Sequence, residues 1–462
     1  MANAAEERDV ETESRDGEFV APCTRVDDST GAHPERRTAH RRGAARTANQ
    51  PRPRSDPPGL MEADRSPWLD LPLDIAGLVF SLLAQYADRA AFALVCPQWR
   101  AAASRQGLPP SLPVLALPDG TFFSIFYPKR YPFPGCGFAG YESVCGSWLV
   151  FPRDDGCVLV NPFSRDSFTL PALSSIRLRP PNAVAKWSLE DGSNVADPYV
   201  TWMHINTSEQ LHLSKIMLCS PNLVAALVGI GHTSQILLCQ RGASAWSVRA
   251  YDQCKAFEDM AFYQGKLYAI ANDENLLVVN ISQDHSTGDP QVSGIGQVIE
   301  GDSPPLYSVV FDDNTMLCKK LYLVESQGVL LMARRTIICR VPGPGAEPGE
   351  AVAGLTGFKV FKADFEHSRW VEVSTVGADQ LLFLGRRCSR AMSVSQYDGL
   401  LGDYIFFLDD DEENRMDYCY DNEDTSFGGY GMRSNAVHFP HPYIFWKRCD
   451  EMRLAAWLFP QD

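Results

Sequence analysis

The chain has 462 residues, which is enough to bury at least one large hydrophobic core. Its 34 glycines, 32 prolines and 45% hydrophobic residues indicate a globular protein with many turns, and they favour strands over long helices. The formal net charge of -15 argues against nucleic acid as the main partner, and the longest apolar run, residues 223–231, is far shorter than the roughly 20 residues that cross a bilayer, so no membrane contact is expected.

Residues 1–60 contain almost no large apolar side chains, and their charge changes from acidic to basic along the segment. Such a composition buries too little surface to offset the entropy of ordering, so a disordered tail is expected. The arginines of residues 36–54 have three possible interpretations: a solvated disordered tail, a nuclear import signal or an RNA-contacting arm. The acidic start lacks the apolar core of a secretory signal, which predicts a cytoplasmic or nuclear location with the 13 cysteines as structural thiols.

Residues 66–108 carry the clearest helical pattern of the chain. Apolar residues of a first predicted helix recur at helical spacing and share one face: Ile75, Leu78, Val79, Leu82 and Leu83. Pro72 suits the first turn of this helix, where a missing N–H is not needed. A module of three short helices buries little apolar surface per residue, so we expect it to need a partner.

Two further short helices are predicted after the first. Asp88 is placed to cap the second helix, in which Ala91, Phe92 and Val95 are expected to share a face. Pro97 interrupts that helix, and residues 98–100 begin a third one.

The helical segment resembles the F-box in a Leu-Pro dipeptide, an Ile/Leu helix and a Val-Cys pair three residues before Trp-Arg. The matching residues are Leu71, Pro72, Ile75, Leu78, Val95, Cys96, Trp99 and Arg100. Pro97 departs from the family, in which a basic residue is common at this place. The resemblance implies that the segment binds the Skp adaptor of a cullin–RING ubiquitin ligase. The residues that it assigns to adaptor binding are Leu71, Pro72, Ile75, Leu78, Leu82, Val95, Cys96 and Trp99. The alternative, a helical hairpin packed on the rest of the chain, predicts no exposed apolar face.

From residue 112 to residue 460 the sequence reads as repeated β-hairpins. "CVLVNPFSRDSFTLPAL" predicts two strands around an Asn-Pro turn, and "GKLYAIANDENLLVVNI" and "KLYLVESQGVLLMARR" repeat the pattern. Hairpins of similar size favour a β-propeller, with a pair of β-sandwiches as the alternative. In a propeller, the stretch "RLAAWLFP" near residue 457 is expected to close the ring.

The same region resembles the KIB-type β-propeller that follows plant F-boxes. The resemblance rests on the order of "LPDGTFFSIF", "GYESVCGSWLVF", "CVLVNPFS", "FLGRRCS" and "AAWLFP". The predicted fold is therefore mainly β, with an N-terminal three-helix F-box followed by a β-propeller.

No catalytic or cofactor motif is found in the sequence, so no enzyme activity, cofactor or metal is expected. The stretch "FGGYGMRS", residues 427–434, lacks the context of a phosphate-binding loop and is interpreted as a mobile loop. "HFPH", residues 438–441, is interpreted as a turn at a strand end. The acidic residues 409–424 do not fit a calcium loop and are assigned to an insertion, residues 409–428, that is either solvated or docks a basic target.

The sequence thus predicts the substrate-recognition subunit of a cullin–RING ubiquitin ligase. The F-box would bind the Skp adaptor and through it the cullin, and loops of the propeller would bind a protein target of unknown identity. A propeller that binds or inhibits its target without recruiting a ligase is the alternative. A propeller enzyme is disfavoured because no convergent set of acid, base or metal ligands is visible.

Overall fold

The computed structural model describes residue 68 and residues 71–83, 86–106, 111–117, 119–126, 129–132, 137–153, 156–179, 212–230, 233–249, 256–302, 309–312, 315–340, 355–397, 400–408, 424–425, 427–438, 446–447 and 455–460. The predicted tail, residues 1–60, and the acidic residues 409–423 lie outside this description. Of two compact units, Leu71–Phe133 with Phe138–Asp462 forms the one that holds the described helices and strands.

Three short helices open this unit, and we call them the helical module: α1 (Leu73–Ser81), α2 (Tyr86–Val95) and α3 (Pro97–Arg105). The predicted cap at Asp88 is wrong, because α2 begins two residues earlier and Asp88 lies in its first turn, where a carboxylate is favourable to the helix dipole. Pro97 is the first residue of α3 rather than a break before it. Proline suits that position because the first N–H of a helix has no intrahelical partner.

Six sheets of four or five strands follow within the described residues, and we call them blades 1 to 6. Blade 1 contains β1 (Val114–Ala116), β2 (Thr121–Ser124) and β3 (Lys129–Pro132). Blade 2 contains β4 (Ser143–Cys145), β5 (Trp148–Arg153), β6 (Gly156–Val160) and β7 (Ser167–Leu170). Blade 3 contains β8 (Ile176–Arg179), β9 (His212–Leu218), β10 (Leu223–Ile230), β11 (Thr233–Gln240) and β12 (Trp246–Arg249).

The remaining blades follow in chain order. Blade 4 contains β13 (Phe257–Tyr263), β14 (Lys266–Ala271), β15 (Leu276–Gln283) and β16 (Pro290–Ile299). Blade 5 contains β17 (Val309–Asp312), β18 (Thr315–Ser326), β19 (Val329–Arg340), β20 (Leu355–Asp364) and β21 (Arg369–Val373). Blade 6 contains β22 (Gln380–Leu384), β23 (Arg390–Ser393), β24 (Tyr404–Leu408), β26 (Phe427–Gly431) and β27 (Ala436–His438), and a separate pair contains β25 (Asp424–Thr425) and β28 (Trp446–Lys447).

The ring is closed by β29 (Ala456–Leu458), which completes blade 1 by pairing antiparallel with β1. Val114 faces Leu458, and the fully buried Trp457 donates its Nε1–H to the carbonyl of Leu384 in blade 6 at 3.0 Å. One strand thereby joins the last blade to the first. The predicted propeller is confirmed, and the sandwich alternative is wrong.

The predicted hairpins form as antiparallel pairs, β14 with β15 and β18 with β19, and a further hairpin joins β13 to β14. Between β13 and β14, Gln264 and Gly265 have φ angles of 47° and 75°, and between β18 and β19, Gln327 and Gly328 have φ angles of 51° and 73°. Two successive residues with positive φ define the type I′ turn, whose twist matches that of the strands it joins. The Asn-Pro hairpin is also present, as β6 paired with β7.

The glycine-rich stretch that was predicted to be a mobile loop is instead β26, a fully buried strand between β24 and β27. A Cβ at Gly428 would lie 2.3 Å from the ring of Phe407, and one at Gly429 would lie 2.3 Å from the ring of Tyr404. The glycines therefore make room for the aromatic side chains of β24. His438 ends β27, and the rest of the predicted histidine turn lies outside the described residues.

A buried ion pair ties three neighbouring blades together. Lys215 of β9 contacts Asp259 of β13, and both side chains are at least 95% buried. Asp259 also accepts hydrogen bonds from the backbone N–H of Met260 at 2.7 Å and of Leu323, in β18, at 2.8 Å. Burial raises the pKa of Asp259, and these three donors oppose the shift. Blades 3, 4 and 5 thus meet at one carboxylate.

Candidate functional site

Most large hydrophobic side chains that are exposed in the described residues belong to the helical module. Ile75 is 43% exposed, Leu78 59%, Val79 39% and Leu82 74%, and we call these four the docking face of α1. Leu94 and Val95 at the end of α2 are exposed as well. An apolar face of this kind is the observation that separates an F-box from a packed helical hairpin, since the hairpin would bury it.

The opposite side of α1 forms the core of the module. Ala76 and Phe80 are buried against Phe92 and Ala102, and the ring of Phe92 stacks on that of Trp99 with centroids 4.4 Å apart. The helix α1 is therefore apolar on two sides, one of which is satisfied inside the module. The other side is left to solvent because nothing in the described unit covers it.

The residues predicted to bind the adaptor divide into two groups. Those that reach the surface are Pro72, Ile75, Leu78, Leu82 and Val95. Leu71 and Trp99 pack against the core of the module, and Cys96 caps α3 by accepting a hydrogen bond from the backbone N–H of Trp99 at 3.4 Å. The second group is half-buried, and the part of both groups in adaptor binding stays a prediction.

The sequence-based prediction for α2 was wrong about its common face and did not include one of its exposed residues. Phe92 points into the core while Ala91 and Val95 are exposed, so the predicted common face of α2 does not exist. Leu94, which is 69% exposed, was not predicted as a site residue. The sequence could have indicated this, because Leu94 lies next to Val95 and away from Phe92, which packs in the core.

The start of α2 attaches the module to the propeller. Tyr86 contacts the ring of Phe163 edge-on at 4.6 Å and donates a hydrogen bond to the carbonyl of Phe163 at 3.4 Å. Burial raises the pKa of Tyr86. Phe163 lies in the turn between β6 and β7, which Asn161 orders by accepting the backbone N–H of Phe163 at 2.9 Å. The Asn-Pro turn therefore presents Phe163 to the module in a fixed position.

Arg89 makes a second attachment from the same face of α2. It is only 6% exposed, and its Nη1 donates to Ser111 Oγ at 3.0 Å while its Nε donates to the carbonyl of Leu83 at 2.6 Å. Burial raises the pKa of Tyr397, which follows β23 of blade 6, and the charge of Arg89 opposes this shift. We call Tyr86, Arg89, Phe163, Ser111 and Tyr397 the joint.

The buried cysteines show no sign of reactivity. Cys145, Cys157, Cys219 and Cys239 are free thiols, and burial raises the pKa of each to about 12. A thiol with this pKa forms almost no thiolate near neutral pH. Across the described part of the chain no group of three or more His, Cys, Asp or Glu residues is arranged to hold a metal ion, and no helix there is long and apolar enough to span a membrane.

A three-helix module with an exposed apolar face, attached to a six-bladed propeller, defines a receptor of the F-box class. Residues 114–430 match the KIB1-4 beta-propeller family, and the chain belongs to this family. The resemblance to plant F-box proteins with a KIB-type propeller is thereby confirmed.

Two curated relatives from Arabidopsis thaliana are similar over most of their length. The putative F-box protein At3g25750 is 24% identical over 74% of this chain and 88% of its own length, and the F-box protein At2g26160 is 22% identical over 75% of this chain and 96% of its own length. A solved extracellular domain of the putative one component system BT4673 from B. thetaiotaomicron aligns with 70% of this chain and 57% of its own chain at 10% identity. Its TM-score of 0.20 is too low to bear on the fold or the function.

Proposed function

We propose that this protein is the substrate-recognition subunit of an SCF-type cullin–RING E3 ubiquitin ligase. The helical module binds a Skp adaptor, which connects it to the cullin, and the propeller binds a protein target. The protein holds the target while a separate E2 enzyme transfers ubiquitin, so it forms no covalent bond itself. The names of the two Arabidopsis relatives and the family of the propeller support this role.

The observation that carries the proposal is the docking face of α1. Ile75, Leu78, Val79 and Leu82 recur at helical spacing and stay exposed although the module has a core of its own. Fully burying one such side chain contributes about 1.5–3 kcal/mol, so covering the face with a partner helix is strongly favourable. A few buried apolar anchors commonly dominate the affinity of an interface of this size.

The test is a binding titration of the full chain with a purified plant Skp adaptor. Replacing Leu78 and Leu82 together by Ala removes two anchors without touching the core of the module, so the affinity should fall by about 10- to 1,000-fold, or roughly 1.4–4 kcal/mol. The matched control is Leu401→Ala, which removes an exposed leucine from blade 6 and should leave adaptor binding unchanged. Equal affinities of the double variant and the unchanged protein would contradict the proposal.

Copurification separates this role from that of a binder that recruits no ligase. The unchanged protein should bring down both the adaptor and the cullin, and the Leu78/Leu82 variant should bring down neither. If the cullin is absent from the unchanged protein as well, the propeller acts as a stoichiometric binder or inhibitor of its target.

A further inference from the structure

Two side chains of α2 attach the helical module to the rest of the unit. Tyr86 lies against the β6–β7 turn of blade 2, and Arg89 donates to Ser111, which precedes blade 1. Two separate contacts on one helix restrain both its position and its rotation. A single hinge between consecutive residues would restrain neither.

The chemistry of the joint also opposes movement. The guanidinium group of Arg89 is almost fully buried and directs its donors to Leu83 and Ser111 along different lines. Moving the module away from the propeller would break the charge-assisted hydrogen bond to Ser111, whereas the bond to Leu83 lies within the module and fixes the side chain that makes it. Phe163 is fixed in turn, because Asn161 accepts two backbone N–H groups of the turn and donates to Ser147 Oγ at 2.9 Å.

We propose that Tyr86 and Arg89 are positioning residues, which hold the adaptor-binding module at one orientation on the propeller. The proposal rests on the proposed function, because orientation matters only if the module carries a ligase. A fixed joint presents the propeller and its bound target to the E2 from one direction, so only the lysines on the facing surface are modified efficiently. Fixing two reacting groups relative to each other is a general source of rate and selectivity.

The first experiment measures the joint without any ligase component. Ser104 in α3 and His285 in blade 4 are exposed, and each is replaced by azidophenylalanine, to which a spin label is then attached. The magnetic coupling between the two labels, measured by electron paramagnetic resonance, reports the distance between module and propeller. The unchanged protein should give one narrow distance distribution, and the double variant Tyr86→Ala/Arg89→Ala should give a severalfold broader one. Arg105→Ala, which removes an exposed arginine of α3, is the matched control and should leave the distribution narrow. A narrow distribution in the double variant would overturn the proposal.

The second experiment measures the consequence for ubiquitin transfer. The probe is self-modification in a reconstituted reaction with Skp adaptor, cullin, RING protein, E1 and E2, read by mass spectrometry at the exposed Lys266, Lys359 and Lys362. The unchanged protein should modify these lysines very unequally. In the double variant the ratio between the most and the least modified lysine should fall severalfold, while the affinity for the adaptor stays the same.

Two further results distinguish loss of the joint from unfolding of the module and from failure of the proposed ligase function. Arg89→Met keeps about the volume of the side chain but none of its hydrogen bonds, so it should broaden the distances while circular dichroism shows that the helices stay folded. An unchanged lysine pattern together with broadened distances would overturn the positioning role. Failure of the unchanged protein to bind the adaptor would overturn the proposed function, whereas the distance measurement would still decide whether the joint is fixed.

Discussion

The helical module exposes the apolar side chains Ile75, Leu78, Val79 and Leu82, whereas the much longer propeller exposes only Val371 and Leu401 among the large hydrophobic side chains of the described residues. The two regions therefore differ in how much of their own hydrophobic surface they bury. The propeller covers its own sheets blade against blade, and β29 leaves β1 without an open edge. The module contacts the propeller through α2 and leaves the docking face of α1 exposed.

The difference shows that one chain can combine a propeller that buries its own hydrophobic surface with a small module that does not. The module's own hydrophobic core contains only four buried residues among the described ones, Ala76, Phe80, Phe92 and Ala102, so little stability comes from within it. The joint at Tyr86 and Arg89 supplies part of what is missing. Four variants test this contrast between the two regions.

Removing the closing strand should have the largest effect. A chain that ends after Cys449 lacks β29, so β1 keeps unpaired backbone groups and the cluster around Trp457 loses its centre. We expect this protein to aggregate or to be cleaved rapidly in limited proteolysis. A chain that ends after Pro460 keeps β29 and should behave like the full protein. A soluble, cooperatively melting product of the shorter form would show that the propeller does not depend on its closure.

Breaking the ion pair between blades should have the next largest effect. Lys215→Met leaves the buried carboxylate of Asp259 without its cation, which should lower the free energy of unfolding by about 3–5 kcal/mol. Urea unfolding followed by tryptophan fluorescence measures the loss. The double variant Lys215→Met/Asp259→Leu removes both charges and should recover most of the stability. If the single variant is as stable as the original protein, the pair does not hold blades 3 and 4 together.

Filling the space over the glycine-rich strand should have a smaller effect. Gly428→Ala places a methyl group against the ring of Phe407, which is buried and stacked under the guanidinium of Arg335 at 4.3 Å. Such overpacking should lower the free energy of unfolding by about 1–3 kcal/mol. Gly357→Ala in β20 is the matched control, because a Cβ at Gly357 meets nothing within 4 Å. A tolerated Gly428→Ala with no shift of the urea midpoint would mean that β26 can move.

Changing the docking face should have the smallest effect on stability. Leu82→Ser replaces a side chain that is 74% exposed, so the free energy of unfolding should change by no more than about 0.5 kcal/mol. Phe92→Ala, in the core of the module, serves as the contrasting variant and should melt the helices, as seen by circular dichroism. A large loss of stability in Leu82→Ser would show that the face is already covered within the chain.

The propeller could be predicted from the sequence because its signals are local. Turn residues such as Gln327 and Gly328 separate apolar strands, and each hairpin can be read from fewer than thirty residues. The strand β26 could not be predicted in this way. Glycines have low strand propensity, and their reason for being there lies in the rings of Phe407 and Tyr404 on a strand that precedes them by about twenty residues.

The candidate site was predicted in part from the sequence: the docking face of α1 was predicted, but the joint was not. The face of α1 followed from helical spacing, since a three-turn helix places Ile75, Leu78 and Leu82 in a row. The joint did not follow, because Tyr86 and Phe163, which form its main contact, lie 77 residues apart in the sequence. The cap at Asp88 was wrong because a carboxylate also stabilises the first turn of a helix, where Asp88 lies.

The pairing of β29 with β1 also dictates the order of events during synthesis. Val114 leaves the ribosome long before its partner Leu458, and at about 5–20 residues per second the delay is on the order of tens of seconds. Throughout that time blade 1 has an open edge, and the nascent chain is exposed to aggregation and to chaperones. We therefore expect the pairing of β29 with β1 to be the last contact of blade 1 to form during synthesis, and a chain interrupted before this strand to leave the ring open.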